Sequence, residues 1–293
     1  MASKLRAKDP KAAEPSKPKV LIYGKSGVGK TWASLDFPGV YYIDSEAGAD
    51  LDHYRDKLIA SGGKYMGPSD GACEFPVVID QFKGLATERH DYRTVVVDSI
   101  SKLFNTAVAI EADKLGDKNA FGADKKPAIQ AMRQLVSWIN RVDMNVVLIA
   151  HEKSEWGQNA QGERTEIGAT FDCWEKLEYE LHLALRIIKQ AKSRKAFVRK
   201  SRLLGFPEGE SFDWSYDKFA DRYGREIIEG AVKQITLATP EQVVEVQRLL
   251  EAVRVDADFV EKCFTRAGAQ SWEELDDAQI TKTIDFLKGR VAA

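Results

Sequence analysis

Residues Gly24 to Thr31 read G-K-S-G-V-G-K-T, and this glycine-rich turn constrains the fold more than any other stretch. It satisfies G-x-x-x-x-G-K-[ST] at every constrained position. Val20-Leu21-Ile22-Tyr23 before it is a buried-strand run, and Thr31-Trp32-Ala33-Ser34-Leu35 after it can open a helix. A turn between strand and helix aims successive backbone N–H groups, and the positive end of the helix dipole, into one concavity. A polyphosphate fits there. Gly24, Gly27 and Gly29 allow close backbone approach and positive φ without a Cβ clash. Lys25, Ser26 and Val28 complete the cradle. Lys30 is placed to reach the β- and γ-phosphates, and the Thr31 hydroxyl to ligate Mg²⁺. A nucleoside triphosphate with Mg²⁺ is the expected ligand.

The chain has 293 residues, room for one large or two modest domains. Its 44% hydrophobic content is ample for a core, and a net charge of −2 argues against a wholly basic nucleic-acid coat. Cys73, Cys173 and Cys263 lie far apart without a C-x-x-C pair, so no disulfide framework or zinc site is expected. A reducing cytoplasm is the expected location. No apolar run approaches membrane-spanning length, and the polar start lacks the hydrophobic region of a signal peptide.

Residues 1–18 carry Lys4, Arg6, Lys8, Lys11 and Lys17 among Ala, Pro and Ser, and read as a flexible basic tail. From Val20 short apolar runs alternate with helical periods, the signature of a largely parallel α/β sheet. Strands are expected at Val20–Tyr23, Val40–Ile43, Thr94–Val97 and Val146–Ala150. Ile129, Met132, Leu135, Val136 and Ile139 recur at helical spacing between the last two. A β-rich stretch follows from Leu181 to Arg202, then an aromatic segment through Phe212, Trp214, Tyr216 and Phe219. The composition changes near Leu237. Thr239-Pro240-Glu241-Gln242 offers an N-cap, an N1 proline and a capping-box partner, and Ser271-Trp272-Glu273-Glu274 a second box. Periodic runs at 241–253, 257–266 and 277–288 then predict a small acidic three-helix module. The expected division is a tail at 1–18, an ATPase core at 19–236 and the helical module at 237–293.

A phosphate cradle needs a carboxylate for the metal at the end of a neighbouring strand. Thr94-Val95-Val96-Val97-Asp98-Ser99 supplies Asp98, placed to hold Mg²⁺. Hydrolysis also needs a group that activates water. Asp44 and Glu46 follow the second strand, and such strand ends gather at one edge of a doubly wound sheet. Glu46 is the candidate base. His151 ends the fourth strand in Leu148-Ile149-Ala150-His151-Glu152, where it can sense phosphate.

The succession YYIDSEAGADLD, VVVDSISKL, GDKNAFGADKKPAIQAMRQL, VVLIAHE and RKSRLLGFPEGESF resembles the core of bacterial RecA-type recombinases in order and spacing over residues 18–232. Within that group the chain looks most like the RecA-core single-strand annealing proteins of bacteriophages, the Sak-four type. The resemblance implies a RecA-like P-loop ATPase core, with Glu46 as the water-activating glutamate and Asp98 as the Walker B aspartate. His151 matches a position that couples γ-phosphate to a DNA-binding loop. Lys200 and Arg202 match two cations inserted into the ATP site of the adjacent subunit. Such fingers contribute about 10³–10⁵-fold where they have been removed.

Two polar loops of this pattern face DNA in the recombinases. The first is Gly116–Lys126, with Lys118, Phe121, Lys125 and Lys126; the second is Lys153–Phe171, with Trp156 and Arg164. Cations with interspersed aromatics suit a single strand, because phosphates pair with the charges while bases stack at about 1–3 kcal/mol each. Arg186, Lys189, Lys192, Arg194, Lys195, Arg199 and Lys200 add a basic run without an acid from Leu181 to Pro207. It can line a subunit interface, a DNA groove or water. The short stretch before the P-loop, divergent residues 47–75 and a different C-terminal module set the chain apart from RecA, so strand invasion and stable filaments do not carry over. The implied function is ATP-regulated single-stranded DNA binding that promotes annealing or recombination in phage replication. Partners would be single-stranded DNA, further copies with ATP at their interfaces, and a single-strand-binding or replication protein reached through the C-terminal module. The alternatives are a replication accessory ATPase (a helicase loader or motor) and a nucleotide-dependent protein-interaction switch.

Overall fold

The computed structural model describes residues 16–48, 51–119, 122–158 and 161–291. Its elements run β1 (Lys19–Gly24), α1 (Lys30–Ser34), β2 (Val40–Asp44), α2 (Asp52–Ala60), β3 (Lys64–Met66), α3 (Phe75–Thr87), β4 (Thr94–Asp98), α4 (Ile100–Leu115) and α5 (Lys125–Arg141). They continue with β5 (Asn145–Gln158), β6 (Arg164–Phe171), α6 (Leu177–Glu180), β7 (Leu183–Gln190), β8 (Ser193–Ser201), β9 (Ser211–Asp213), α7 (Tyr216–Tyr223) and α8 (Arg225–Glu229). The C-terminal helices are α9 (Pro240–Ala252), α10 (Phe259–Ala267) and α11 (Asp277–Val291).

One sheet has the order β3-β2-β4-β5-β1-β7-β8-β9, parallel as far as β7 and antiparallel across β8 and β9. Every residue of β1 and β4 is buried, which is why they read as unbroken apolar runs rather than alternating ones. Leu21 and Tyr23 face a core built with α3, α4 and α5. Val20 and Ile22 face the opposite core, with Leu35, Phe37, Leu58, Phe219 and Ile228. Helices on both faces of a mostly parallel sheet make this the expected α/β architecture, with the glycine-rich turn between β1 and α1. The aromatic segment closes the second core: Phe37 lies 4.9 Å from Tyr216 and 5.6 Å from Phe219.

Registration decides what meets at the sheet edge. Asp44 pairs with Asp98, Asp98 with Ile149, and Gly24 with His151. The C-terminal ends of β1, β2, β4 and β5 therefore lie side by side, where a doubly wound sheet binds ligands.

Four expectations need correction. Lys17 belongs to the core rather than to a tail: buried, it donates to the carbonyls of Ile227 (2.9 Å) and Gly230 (2.7 Å). Tail residues 1–15 lie outside the described residues. The fourth strand does not stop at Ala150, and the segment from Lys153 to Phe171 is no polar loop. β5 runs on to Gln158 and pairs antiparallel with β6, with a register shift between Glu155 and Trp156. Backbone pairing satisfies this segment without an apolar face, so periodicity could not show it. Lys125 and Lys126 open α5 instead of sitting in a loop. Finally, Ser271 precedes only a short 3-10 turn, Trp272–Glu274, and its side chain makes no capping bond. Glu274 is drawn inward, accepting from the Gln270 N–H (2.8 Å) and pairing with Lys83 (2.9 Å). The reciprocal box forms instead between Asp276 and Gln279.

Thr239 caps α9 as expected, exchanging hydrogen bonds with Gln242 (3.3 and 2.8 Å) above Pro240 at the helix start. Helices α9 and α11 bury Val246, Leu249, Ile280 and Leu287 with Trp272 in a third cluster. Arg141 donates to the Glu274 carbonyl (2.7 Å) and ties these helices to α5. No helix among the described residues is long and apolar enough to cross a membrane.

Candidate functional site

The turn from β1 into α1 bounds a cleft of 530 Å³, lined on its other sides by Tyr42, Asp44, Glu46, Tyr54, Asp98, His151 and Glu152. A Cβ on Gly24 would stand 2.3 Å from the Ile187 carbonyl oxygen of β7, so only glycine lets β1 turn there. Gly29 has φ +87 and opens α1. That helix is only five residues long, so its dipole is slight and fixed N–H groups with Lys30 carry most of the anion attraction. Lys30 Nζ folds back over the turn, donating to the carbonyls of Gly24 (2.8 Å) and Lys25 (3.0 Å). Burial lowers its pKa, with Asp98, Glu46 and Glu152 opposing the shift.

Thr31 Oγ1 donates to Asp98 Oδ2 at 2.5 Å, and the Tyr42 hydroxyl donates to the same oxygen at 3.1 Å. A hydroxyl and a buried carboxylate in contact beside the phosphate cradle fit Mg²⁺, which takes few protein ligands and completes its shell with water and phosphate. Among the described residues no group of three or more His, Cys, Asp or Glu could hold a metal ion. Burial pushes the Asp98 carboxyl up to about 6; the Thr31 bond opposes this, Glu46 adds to it, Tyr42 opposes and Asp44 adds.

A pH-dependent stability follows from that shift. Asp98 binds its proton more tightly folded than unfolded, so it contributes stability that is full below about pH 4 and lost as pH rises through about 6. Asp98→Asn is expected to melt above the native protein near pH 7 and to lose that margin near pH 4, both rough limits set by linkage. Parallel melting curves across this range, followed by circular dichroism, would contradict a buried charge at Asp98.

Glu46 Oε1 accepts from Ser99 Oγ at 2.5 Å and lies 2.6 Å from His151 Nε2. The backbone around it is fixed. Ser45 N–H donates to the Asp98 carbonyl (2.7 Å), Ser99 N–H to Ser45 Oγ (2.9 Å), and Glu46 N–H to Asp44 Oδ1 (3.0 Å). Lys30, Thr31, Glu46, Asp98 and His151, named separately from the sequence, thus meet in one cleft.

Lys200 and Arg202 do not join them. Antiparallel β8 carries them away from the P-loop, pairing Ser201 with Leu183, which itself sits beside Val20 at the start of β1. There Lys200 donates to the Leu181 carbonyl and Arg202 to that of Tyr179. Four contributors escape a reading of the sequence. Ser99 and Tyr42 stand within the motifs themselves, where they read as cap and strand residues. Glu152 is gripped by Arg186 through two bonds of 2.8 and 3.1 Å. Arg194, at the near end of β8, donates to the Val28 carbonyl (3.1 Å). The basic run is its only signal.

The expected DNA-facing residues are spread over the surface. Lys118, Lys125 and Lys126 are exposed, and Phe121 lies outside the described residues. Trp156 is 52% exposed on the β5–β6 hairpin, with the Arg164 guanidinium 4.9 Å from its ring centroid. Much of the basic run is neutralised locally: Arg199 pairs with Glu155 and Lys195 with Asp213, each at 2.8 Å.

The family model described as the AAA domain (AAA_24) matches residues 16–213; the chain belongs to this family. No curated protein matches the sequence. Similar solved structures include the RadB recombinase, at 20% identity over 67% of this chain and 86% of that one, with a TM-score of 0.41. A prototypical ATPase from the type III secretion system of pathogenic bacteria is similar at 11% identity, over 94% and 81%, with a TM-score of 0.41. The ATP synthase subunit NeqB from Nanoarcheaum equitans follows at 9% identity, over 95% and 72%, with a TM-score of 0.36. Likenesses of this degree carry no functional argument.

Proposed function

We propose that this AAA-family chain binds ATP with Mg²⁺, hydrolyses it, and couples that cycle to binding single-stranded DNA during annealing or recombination of phage type. The observation that carries the reading is the position of His151. It touches Glu46 in the cleft and belongs to the same strand that continues into the hairpin bearing Trp156. In this reading β5 links the nucleotide cleft to an exposed aromatic and its neighbouring cation.

In this reading the turn from Gly24 to Gly29 and Lys30 orient the phosphates. Thr31 and Asp98 would hold Mg²⁺, which when bound would offset the negative charge of the phosphates. Glu46 takes a proton from the attacking water. Ser99 and His151 fix the carboxylate until then, so the base is aimed before substrate arrives. Lys200 and Arg202, on the far edge of the sheet, serve the cleft of a neighbouring copy, and turnover then requires stacked subunits.

DNA binding tests the second half of the proposal. Anisotropy titrations should show preference for single strands over duplex, little sequence preference and a steep fall with salt, because phosphate contacts release counterions. Changing Lys118, Lys125 and Lys126 together to Ala should reduce the slope of log affinity against log salt by about 0.7 for each phosphate that no longer meets a lysine. Trp156→Ala should weaken binding while leaving that slope intact, by about 1–3 kcal/mol for one stacked base. Equal affinity for duplex and single strand in matched salt would contradict annealing and favour an accessory ATPase.

A further inference from the structure

A second recognition surface lies far from the nucleotide, in the C-terminal helices. Residues 237–293 contain eleven acidic and seven basic side chains, an acidic balance overall. The charges are not mixed evenly. A groove of 590 Å³ between α10 and α11 is lined by four of those seven cations, Lys262, Arg266, Lys282 and Arg290, and by one acid, Asp256. Its floor is apolar. Phe259 and Phe286 stack there with centroids 5.4 Å apart and planes at 16°, beside Cys263 and Ala267.

This apolar floor is only partly covered. No residue of α10 is fully buried, although Phe259, Cys263 and Ala267 repeat at the spacing of one helical face. Phe286 is 45% exposed. Three of the four rim cations are also available. Lys262 pairs with Asp258 at 2.5 Å and Lys288, outside the groove, with Glu245 at 3.3 Å. Among the described residues Arg266, Lys282 and Arg290 form no ion pair, while Arg290 lies 5.3 Å from the Phe286 ring centroid. Charges concentrated around an apolar slot, on a surface otherwise of opposite sign, specify a ligand that is acidic and apolar together.

The geometry points to this groove as the docking site for a short acidic protein segment bearing an aromatic or aliphatic anchor. The anchor packs on Phe259 and Phe286, and carboxylates meet Arg266, Lys282 and Arg290. The chain's own residues 1–15 cannot be the occupant, since Lys4, Arg6, Lys8 and Lys11 outnumber Asp9 and Glu14 and would be repelled. A nucleic-acid strand fits less well. Its phosphates continue at regular spacing, and the exposed carboxylates Asp258, Glu261 and Asp285 on and beside the same helices would repel them. A peptide can confine its charge to the few residues the rim covers. The inference is independent of what happens in the nucleotide cleft.

The test uses the full chain and a fluorescein-labelled peptide of Asp, Glu and Gly carrying one Leu-Phe pair. Binding is expected with Kd of about 10–100 μM, the weak range of a small transient contact. Arg266→Glu with Arg290→Glu should weaken it at least about tenfold, by charge reversal at the rim. Phe286→Ser should weaken it similarly, and a peptide with Leu-Phe replaced by Ser-Ser should bind no better to the native chain. ATP turnover and melting temperature serve as controls, and both should stay at native values because these side chains are exposed. No saturable peptide binding would overturn the proposal. So would peptide binding unaffected by either variant, displacement of the peptide by oligothymidylate at lower concentration than by unlabelled peptide, or self-association abolished by the same substitutions.

Discussion

Lys30→Ala is expected to reduce ATP hydrolysis by about 10²–10³-fold, the cost of removing one preorganised charge from a developing anionic transition state. ATP affinity should fall as well, because a lysine ammonium contributes a point charge to the ground-state phosphates. The side chain is already held over the turn by the Gly24 and Lys25 carbonyls. Alanine leaves those two carbonyls to water in an open cleft, so the fold should survive. Circular dichroism at native strength with turnover near background is the predicted pair of results. Turnover within a few-fold of native, with ATP still bound, would show that Lys30 is not the phosphate cation, and Arg194 beside Val28 would be next to test.

Glu46→Gln should separate binding from chemistry. The amide keeps an acceptor for Ser99 Oγ and nearly the volume of the carboxylate, so the cleft around Ser45, Ser99 and His151 should hold its arrangement. Only proton acceptance is lost. General-base removal costs about 10²–10⁴-fold, and that loss should appear in the maximal rate with ATP affinity close to native. Equilibrium binding of a fluorescent ATP analogue beside steady-state turnover makes the comparison. A native maximal rate would move the base to Asp44, which shares the same strand end.

The parts of the fold that could be read ahead were those in which local sequence and tertiary environment agree. β1 and β4 are buried on both faces, and their uninterrupted apolar runs declare it. The turn from Gly24 to Thr31 fixes its own backbone, and parallel order then brings Asp44, Asp98 and His151 to its side. The hairpin was hidden because its two strands are partners across a turn and little of it is buried. Nothing in Glu155-Trp156-Gly157-Gln158 marks a strand until Arg164–Phe171 is laid against it. The role of the basic run stays open in the sequence for a related reason. Arg186 and Arg199 find Glu152 and Glu155 only because β5 extends past its apolar part. Lys17 looked like tail because a lysine reads as solvated, yet three backbone carbonyls at the end of α8 enclose its ammonium.

The central claim is that ATP turnover in this chain is coupled to single-stranded DNA and completed by a neighbouring copy. The most direct measurement is turnover per subunit over a wide range of protein concentration, with and without oligothymidylate, for the native chain and for Arg202→Ala. The native rate should rise with protein concentration and rise further with DNA, which gathers subunits and brings the far-edge cations to a neighbour's cleft. Arg202→Ala should stay near the dilute, DNA-free rate throughout. A native rate per subunit that is flat in both protein and DNA, and matched by Arg202→Ala, would contradict the account.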